Sequence, residues 1–380
     1  MKVLYLVRSL TIPAGWERYA KGLIVALAGQ GVEPIIVAVN PEPDPDFPFQ
    51  PEPAALAWAE WGPRLAWTTP DNLLKIWALA HQVELIHALV EPLAPLAWLA
   101  GRILGRPYLV TAFGTYTVEP FALGRARRLA GWSLGGAAAV SCISAYTQKR
   151  LQALYSKART VTVPCGFAPP QVSPASESMV NRPYILSVGP LKTRKGQHLL
   201  LEAFARLAPE FPQVDWVVAG FSYNQAYPGR FQDRVADLGL AGRVHLIGQI
   251  DEAALQRLYA DCLFYALTPV NDQHHFEGFG LTYLEAGWYA KPSIGSKDCG
   301  AEESITDGVE GFLVGQDDSE GLVRALARLI AEPELRERMG QAARARAERM
   351  TWAATAQKTM TLYCQALGKN GQSPNMGPEG

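Results

Sequence analysis

The sequence has little cysteine and no long apolar segment. Its five cysteines are scattered over 380 residues and form no Cys-x-x-Cys pair, so we predict no disulfide framework and expect a reducing compartment. No uninterrupted apolar run reaches the roughly 18 residues that would span a bilayer. The N-terminal run MKVLYLVRSL is too short for the apolar core of a signal peptide. We therefore expect a cytoplasmic protein.

Neither sign of charge is in excess. The chain has 35 basic and 36 acidic residues and 48% hydrophobic residues, which argues against a nucleic-acid coat and against a disordered acidic scaffold. Residues 1–180 hold 15 basic against 12 acidic residues, and residues 181–380 hold 20 against 24, so the first half is mildly basic. Gly-x-Ser-x-Gly, Gly-Lys-Ser and His-x-x-x-His patterns are absent. We predict no hydrolase elbow, no P-loop and no metal site.

What the sequence does have is an alternation of short apolar runs with stretches of helical length. In the first half the apolar runs are Lys2–Val7, Val32–Val39, Leu85–Leu89, Tyr108–Phe113, Ala138–Ile143 and Thr160–Val163. A second series comprises Tyr184–Val188, Val214–Ala219, Val244–Ile247, Leu263–Leu267 and Pro292–Ser296. This alternation predicts parallel sheets covered by helices on both faces.

Composition divides this α/β pattern into two domains. The Pro- and Ser-rich residues 171–182 predict a linker between a domain at 1–170 and a domain at 183–350. Doubly wound domains bind ligands at the carboxyl ends of their strands. From Ser319 to about Leu367 the pattern is helical, with a last helix over 351–367, and residues 368–380 are predicted to be disordered.

Two segments of the first half do not fit the alternation. Asn40–Thr69 holds seven prolines and three tryptophans, which predicts a long loop, either a surface excursion pinned by tryptophan or a flap that touches the acceptor or a membrane. Phe121–Trp132, FALGRARRLAGW, predicts a basic helix. A solvated outer helix and a helix lying on an anionic lipid surface both stay open for it.

The most specific motif is His275–Gly287, HFEGFGLTYLEAG. Two glycines flank Phe279 where a loop passes into a helix, and a helix N-terminus with its free N–H groups is an anion site. Glu285 lies about one turn into that helix and Glu277 lies in the loop before it, so both carboxylates can face one ligand. The motif favours a phosphate-bearing ligand, and a Gly-rich turn with two solvated glutamates stays open.

Three basic residues follow the predicted strand Tyr184–Val188 within four positions. They are Lys192, Arg194 and Lys195, and Gly196 and a predicted helix come next. This concentrates positive charge where a doubly wound domain binds anions. A solvated basic turn is the alternative, and the glycine-flanked helix start downstream favours the anion site.

With these motifs together, the chain resembles the retaining glycosyltransferases of family four, in the glycogen-synthase-like superfamily. Their fold is α/β and is called GT-B, with two facing Rossmann-like doubly wound domains, an inter-domain cleft and a helical C-terminus. The resemblance runs from Val3 to about Leu367, and its strongest element is the spacing of Glu277 and Glu285. Weaker elements are Leu191–Gly196, Val244–Gly248, Pro164–Gly166, Gly300–Glu303 and Asp307–Val314.

The resemblance implies a division of labour between the domains. Residues 183–350 would bind a nucleoside-diphosphate-sugar donor, a UDP- or GDP-sugar, without a required metal cofactor, and residues 1–170 would face the acceptor, with helix 351–367 crossing back to them. The implied catalytic residues are Glu277, Lys195 and Arg194. The implied donor-binding residues are Gly15, Gly189, Lys192, Gly248, Gln249, Phe279, Gly280, Leu281 and Glu285. The implied acceptor-side residues are Phe113, Gly114 and Thr115.

Four positions depart from the family pattern. Phe113 stands where the family has a histidine beside the donor sugar, and Pro190 stands where it has an arginine. The glycine pair of the N-terminal loop is reduced to Ala14-Gly15, and the pair before Glu303 is reduced to Cys299-Gly300.

The reaction implied by the resemblance is transfer of a sugar to a glycan, lipid-linked or small-molecule acceptor with retention of anomeric configuration. Nucleic acid is not expected as a partner, whereas peripheral contact with the inner membrane face and the oligomeric state are left open. Phe113 and Pro190 keep a second function open, a non-catalytic GT-B-fold protein that binds a nucleotide sugar or a partner. A nucleotide-sugar epimerase is a third alternative, which the Glu277–Glu285 pattern disfavours because it is more typical of transferases.

Overall fold

The computed structural model describes residues 1–11, 15–53, 55–56, 64–124, 126–175, 177–220 and 226–369. The chain forms two compact units. The first contains Met1–Gly166 and the chain from Thr351 on, and the second contains Phe167–Met350. Each unit has one six-stranded sheet with helices, so the prediction of two doubly wound α/β domains is confirmed. Among the described residues, no helix is long and apolar enough to cross a membrane.

The sheet of the first unit is entirely parallel, with strand order β2-β1-β3-β4-β5-β6. Its strands are β1 (Lys2–Val7), β2 (Glu33–Ala38), β3 (Leu85–Ala88), β4 (Tyr108–Ala112), β5 (Ala139–Cys142) and β6 (Thr160–Thr162). Its first six helices are α1 (Gly15–Ala28), α2 (Arg64–Ala80), α3 (Ala94–Leu104), α4 (Thr115–Ala122), α5 (Arg127–Gly135) and α6 (Ala145–Leu154). The central strands β3, β4 and β5 are wholly buried, as continuous apolar runs require.

The sheet of the second unit is also parallel, with order β12-β11-β10-β7-β8-β9. Its strands are β7 (Tyr184–Val188), β8 (Asp215–Ala219), β9 (Val244–Ile247), β10 (Phe264–Ala266), β11 (Ser293–Ser296) and β12 (Gly311–Val314). Its helices are α7 (Gln197–Leu207), α8 (Ala226–Asp237), α9 (Glu252–Asp261), α10 (Leu281–Trp288), α11 (Ser319–Ala331) and α12 (Pro333–Arg349). Strand β12 was not predicted, because it begins with glycine and has only three apolar residues after it.

The last helix, α13 (Trp352–Ala366), packs on the first unit against α1. The Trp352 ring lies against Gly22, where an added Cβ would come within 2.2 Å of it. In the core, the Tyr363 hydroxyl lies 2.7 Å from Nδ1 of His87 on β3, and Nε2 of that histidine lies 3.0 Å from the Thr111 hydroxyl on β4. These contacts join the end of the chain to the middle of the first sheet.

Two predictions about the first unit are wrong in part. The loop prediction for Asn40–Thr69 fails at its end, because α2 begins at Arg64 and buries Ile76 in the core. Residues 54 and 57–63, which include Trp58 and Trp61, lie outside the described residues, and Leu56 is buried and donates its N–H to Ala38 of β2.

The predicted basic helix Phe121–Trp132 is also not continuous. Helix α4 ends at Ala122 and α5 begins at Arg127. Gly124 and Ala126 adopt φ values of +70° and +55°, in the left-handed region, which a continuous right-handed helix cannot contain. Arg125 lies outside the described residues. The predicted disorder of 368–380 falls mostly outside them too, and Lys369 forms an ion pair with Glu84 at 3.1 Å.

The buried imidazole of His87 makes stability depend on pH. Burial lowers the pKa of His87 from 6.5 to about 3, so the folded protein keeps it neutral while the unfolded chain is protonated below pH 6.5. Because the unfolded state binds the extra proton, the free energy of unfolding should fall as pH drops from 6.5 toward 3, by up to about 1.4 kcal/mol per pH unit. We expect a shallower fall for His87→Gln, measured by urea unfolding at a series of pH values.

The exposed His81 gives the matched control. A His81→Gln variant should show the acid slope of the unsubstituted protein. If His87→Gln and His81→Gln have the same slope, the buried histidine does not stay neutral in the folded state.

Candidate active site

The strand order of each sheet changes direction at its first strand. In the second unit β7 lies between β10 and β8, and in the first unit β1 lies between β2 and β3. Ligands bind in the crevice that such a reversal leaves at the carboxyl ends of the strands. The basic residues at 192–195 follow β7 and the motif at 275–287 follows β10. The two strongest motifs therefore come after the two strands between which the strand order reverses.

Lys195 and Glu277 form the central contact of this site. The Lys195 Nζ lies 2.6 Å from Oε2 of Glu277, and the Arg194 guanidinium lies 3.4 Å from the same oxygen. Burial of Glu277 opposes its ionisation, but the attraction of Lys195 and then of Arg194 outweighs burial, so the pKa of Glu277 is lowered. The carboxylate is therefore charged and holds both cations at one point.

A close approach of two backbone segments creates this contact. Gly196 has φ +70°, and an added Cβ would lie 1.7 Å from the carbonyl oxygen of Thr268, just after β10. The Thr268 hydroxyl donates to the Gly196 carbonyl at 3.2 Å, and the Val270 N–H donates to the Arg194 carbonyl at 2.9 Å. The basic turn is thereby fixed to the end of β10, which places Lys195 beside Glu277.

The cluster carries an excess of positive charge. Lys192 lies on the same turn, and its partial burial, followed by the like charges of Arg194 and Lys195, lowers its pKa. Three cations thus stand against the single carboxylate of Glu277, a balance that suits an anionic ligand. In the described part of the chain, no group of three His, Cys, Asp or Glu side chains could hold a metal ion.

Glycines line the neighbouring strand ends. Gly189 follows β7 with φ +136°, and the atom nearest to its added Cβ would be Cε of Lys195 at 3.9 Å. Gly220 follows β8, and an added Cβ there would lie 2.4 Å from the Gly189 carbonyl oxygen. The Gly220 N–H donates to the carbonyls of Ile247 at 3.1 Å and Gly248 at 3.2 Å. Gly189 and Gly248 are therefore neighbours through Gly220.

Gly280 ends the loop before α10. It has φ +86°, and its added Cβ would lie 2.5 Å from the Tyr283 ring. The Gly300 N–H donates to the Glu277 carbonyl at 2.8 Å, and an added Cβ on Gly300 would lie 2.2 Å from the Gly278 carbonyl. The loop 277–280 is thus fixed by direct contact between backbones, and α10 begins at Leu281 as the motif predicts.

Glu285 lies in α10, one turn after its start. Its Oε2 accepts a hydrogen bond of 2.7 Å from the Tyr259 hydroxyl on α9. Sequence reasoning missed Tyr259, because an aromatic residue inside an amphipathic helix looks like any core residue. Gln249 is exposed directly after Gly248 at the end of β9.

The predicted acceptor-side residues lie in the first unit, between β4 and α4. A buried glutamate that sequence reasoning missed holds them: Oε1 of Glu91 accepts the N–H groups of Phe113 at 2.6 Å and Gly114 at 3.1 Å, and the Thr117 hydroxyl at 2.7 Å. Burial raises the pKa of Glu91 against the effect of these hydrogen bonds. Its place three residues after the buried strand β3 was a usable signal.

Aromatic rings surround Phe113. Its ring centroid lies 5.0 Å from that of Tyr19, edge to face, and 6.2 Å from that of Trp16. Trp16 follows Gly15, the first residue of α1, and Gly15 itself is exposed. Thr115 begins α4. Phe113, which the sequence predicts in place of an imidazole, is therefore part of an apolar ring cluster.

Solved structures share this fold over nearly the whole chain. Anabaena HepE in complex with UDP and glucose superposes with a TM-score of 0.77 at 23% identity, covering 96% of this chain and 99% of HepE. Sucrose-phosphate synthase of Thermosynechococcus elongatus has a TM-score of 0.77 at 22% identity, covering 97% of this chain and 100% of that one. The predicted GT-B fold is confirmed.

Two family models match the chain in succession. The model for a glycosyl transferase 4-like domain matches residues 14–166, and the model for glycosyl transferases group 1 matches residues 171–346. The chain is a glycosyltransferase of the GT-B type. The glycosyltransferase has its basic cluster and both motif glutamates inside the group 1 match.

Curated relatives agree with this assignment. The glycosyltransferase is 25% identical over 280 residues to the GDP-mannose-dependent alpha-(1-6)-phosphatidylinositol monomannoside mannosyltransferase of Mycolicibacterium smegmatis, covering 70% of this chain and 72% of the relative. It is 34% identical over 188 residues to the D-inositol 3-phosphate glycosyltransferase of Streptomyces griseus, covering 48% of this chain and 39% of that relative. The chain thus spans less than half of that relative's length.

The contact between Gly300 and the loop 277–280 can be tested by adding one methyl group. In Gly300→Ala the Cβ has no room beside the Gly278 carbonyl, so we expect a loss of about 1–3 kcal/mol in the free energy of unfolding, measured by urea denaturation. The control is Gly242→Ala in an exposed turn, where no atom lies within 4 Å of the added Cβ. Equal stability of the two variants would contradict the close contact.

Proposed function

We propose that this glycosyltransferase moves a sugar from a UDP- or GDP-sugar to a glycan, lipid-linked or small-molecule acceptor with retention of anomeric configuration. The observation that carries the proposal is that Arg194 and Lys195 converge on Glu277, with Lys192 on the same basic turn, at the carboxyl ends of β7 and β10. The HepE complex with UDP-glucose and the GDP-mannose dependence of the mycobacterial relative support a nucleotide-sugar donor.

The donor's phosphates are assigned to the basic turn and the start of α10. The first N–H groups of a helix have no partner within the helix and point toward an anion, so the backbone of Phe279, Gly280 and Leu281 would hold one phosphate. Lys195 and Arg194 would meet the other, with Lys192 adding charge at the rim. Gly189 has no side chain to obstruct a diphosphate beside Lys195.

The nucleoside is assigned to the neighbouring strand ends. Glu285 would accept hydrogen bonds from the ribose hydroxyls, and the Tyr259 hydroxyl, 2.7 Å away, fixes the orientation of its carboxylate. Gly248 and Gln249, exposed after β9, would contact the base.

The reaction would depend on charge stabilisation of the leaving group. As the bond between the sugar and the diphosphate breaks, negative charge develops on the diphosphate, and cations held in place before the reaction stabilise that charge without reorganisation. Glu277 keeps Lys195 and Arg194 in position and would face the sugar. We assign the proton of the acceptor hydroxyl to the departing phosphate oxygen, which requires attack on the face that the diphosphate leaves and therefore gives retention.

One observation favours a second candidate, donor binding without turnover. Phe113 occupies the position of the family histidine, its ring packs on Tyr19, and a phenyl group offers no hydrogen bond to a sugar. In that case the protein would bind UDP or GDP sugars and release no product with any acceptor. The assays below separate the two candidates.

Removal of Lys195 should impair the chemical step. For Lys195→Ala we expect kcat to fall by about 10²–10³, because one preorganised charge on the leaving group is lost. The measurement is release of UDP or GDP from a panel of nucleotide sugars, with and without acceptors. Lys358→Ala, on the exposed face of α13, is the matched control and should retain full activity. Unchanged kcat in Lys195→Ala would refute its role.

Removal of Glu285 should act on donor binding. For Glu285→Ala we expect the Kd for UDP or GDP to rise by about ten-fold or more, since hydrogen bonds to a charged group contribute roughly 1.5–3 kcal/mol. Titration calorimetry measures this, and Glu337→Ala on the exposed face of α12 is the control. Nucleotide binding that survives this change would place the ribose elsewhere, and binding that depends on Glu285 without any product would favour the second candidate.

A further inference from the structure

The first unit has an apolar groove on its outer surface, far along the chain from the strand-end residues assigned above. The groove has a volume of about 480 Å³ and lies between α2 and α3. Three of its lining side chains are strongly exposed: Leu74 at 68%, Trp77 at 52% and Ile103 at 60%. Side chains of this size are normally exposed singly, and a contiguous group of them marks a binding surface.

A third helix, packed against α3, also exposes a large apolar side chain. Helix α3 packs against both α2 and α5. Across the second contact, the Trp98 ring of α3 stacks on the Trp132 ring of α5, with centroids 5.9 Å apart and planes 21° apart. Trp132 is itself 58% exposed. We call the exposed side chains Leu74, Trp77, Ile103 and Trp132 the apolar face.

The charge on helices α3 and α5 has one sign. Helices α3 and α5 contain three charged residues, and all are basic and exposed: Arg102, Arg127 and Arg128. None of the three forms an ion pair with another described residue. On α2, Lys75 pairs with Asp71 at 2.6 Å, so these two charges compensate each other. Arg102 directly precedes Ile103 on α3, and Arg128 lies about one helical turn before Trp132 on α5. The apolar face therefore has basic residues beside it that form no ion pair with another described residue.

We propose that the apolar face and its three arginines form a docking surface for an anionic lipid bilayer. Tryptophan is favoured at the boundary between headgroups and acyl chains, where its ring is half apolar and half polar. Arginines beside it gain from the negative potential of anionic lipids, whereas Leu74 and Ile103 lose contact with water. The surface thus combines the two attractions that peripheral membrane binding requires.

Charge decides between a bilayer and a second copy of the chain. A two-fold contact through the apolar face would bring the arginines of one copy toward those of the other, and like charges in a contact oppose association. A bilayer that contains anionic headgroups neutralises the same arginines. The observations therefore favour the lipid surface, and self-association becomes an outcome that the experiment can detect.

The docking surface is distinct from the surface that the sequence suggested. The predicted basic helix Phe121–Trp132 is interrupted before Arg127, so only its second part contributes. The larger share of apolar area comes from α2 and α3. None of the residues assigned to donor binding or catalysis lies on these three helices, so lipid binding and sugar transfer can be tested separately.

The test is co-sedimentation of the full chain with vesicles of phosphatidylcholine alone and of phosphatidylcholine mixed with phosphatidylglycerol, at low and high salt. We expect binding to the mixed vesicles only, weakened by salt. Arg127→Glu combined with Arg128→Glu, and separately Trp77→Ser combined with Ile103→Ser, should each reduce the bound fraction at least about ten-fold. Because these side chains are exposed, thermal unfolding should be unchanged.

Two control variants test a change in charge and a loss of apolar area away from the apolar face. Lys157→Glu with Arg159→Glu makes the same change in net charge at exposed positions before β6, and Val309→Ser removes an exposed apolar side chain, 48% exposed, from the second unit. Both should bind vesicles like the unsubstituted chain. The proposal is overturned if mixed vesicles do not bind the chain, or if the charge control loses binding as fully as the arginine variant. It is also overturned if the chain forms dimers through the apolar face. Sedimentation equilibrium would show this as dimers of the unsubstituted chain that are absent in Trp77→Ser with Ile103→Ser.

Discussion

The site in the second unit depends on one backbone contact, between Gly196 and the carbonyl of Thr268. Any side chain at Gly196 would collide with that carbonyl, and φ +70° at this residue turns the chain directly from the basic turn into α7. Because the two segments touch, a residue that follows β7 and a residue that follows β10 lie within 2.6 Å of one another, although 82 positions separate them in sequence. The charge pair of Lys195 and Glu277 is a consequence of this approach, and so is the positive character of the strand ends around it.

The two units have opposite chemical character at the positions considered for function. In the second unit, cations and glutamates meet on glycine-rich backbone. In the first unit, Phe113 is enclosed by Tyr19 and Trp16, and its loop is fixed by the buried carboxylate of Glu91. The second unit therefore suits a charged ligand. A ligand that binds the first unit at this loop would contact aromatic rings and backbone groups.

The strands and the principal motif residues could be predicted from the sequence, and the contacts that orient them could not. Buried parallel strands are continuous apolar runs, so Tyr184–Val188 was predicted with its observed bounds. The edge strand Val244–Ile247, in which three of four residues are apolar, was also predicted with its observed bounds. Tyr259 was missed, since its hydroxyl reaches Glu285 only because α9 and α10 pack side by side. The proline-rich composition before Arg64 hid the start of α2. Gly124 gave too weak a signal by itself, because a single glycine is tolerated in many helices.

The position of α13 in the sequence affects the order in which the two units can fold during synthesis. The first sheet is complete in the chain by residue 162, but the helix that contributes Tyr363 to its core is made only after the whole of Phe167–Met350. During synthesis the second unit can therefore fold from a continuous stretch of chain, while the first unit waits with the space for Tyr363 and Trp352 unfilled. The first unit therefore reaches its final structure only after α13 has been made.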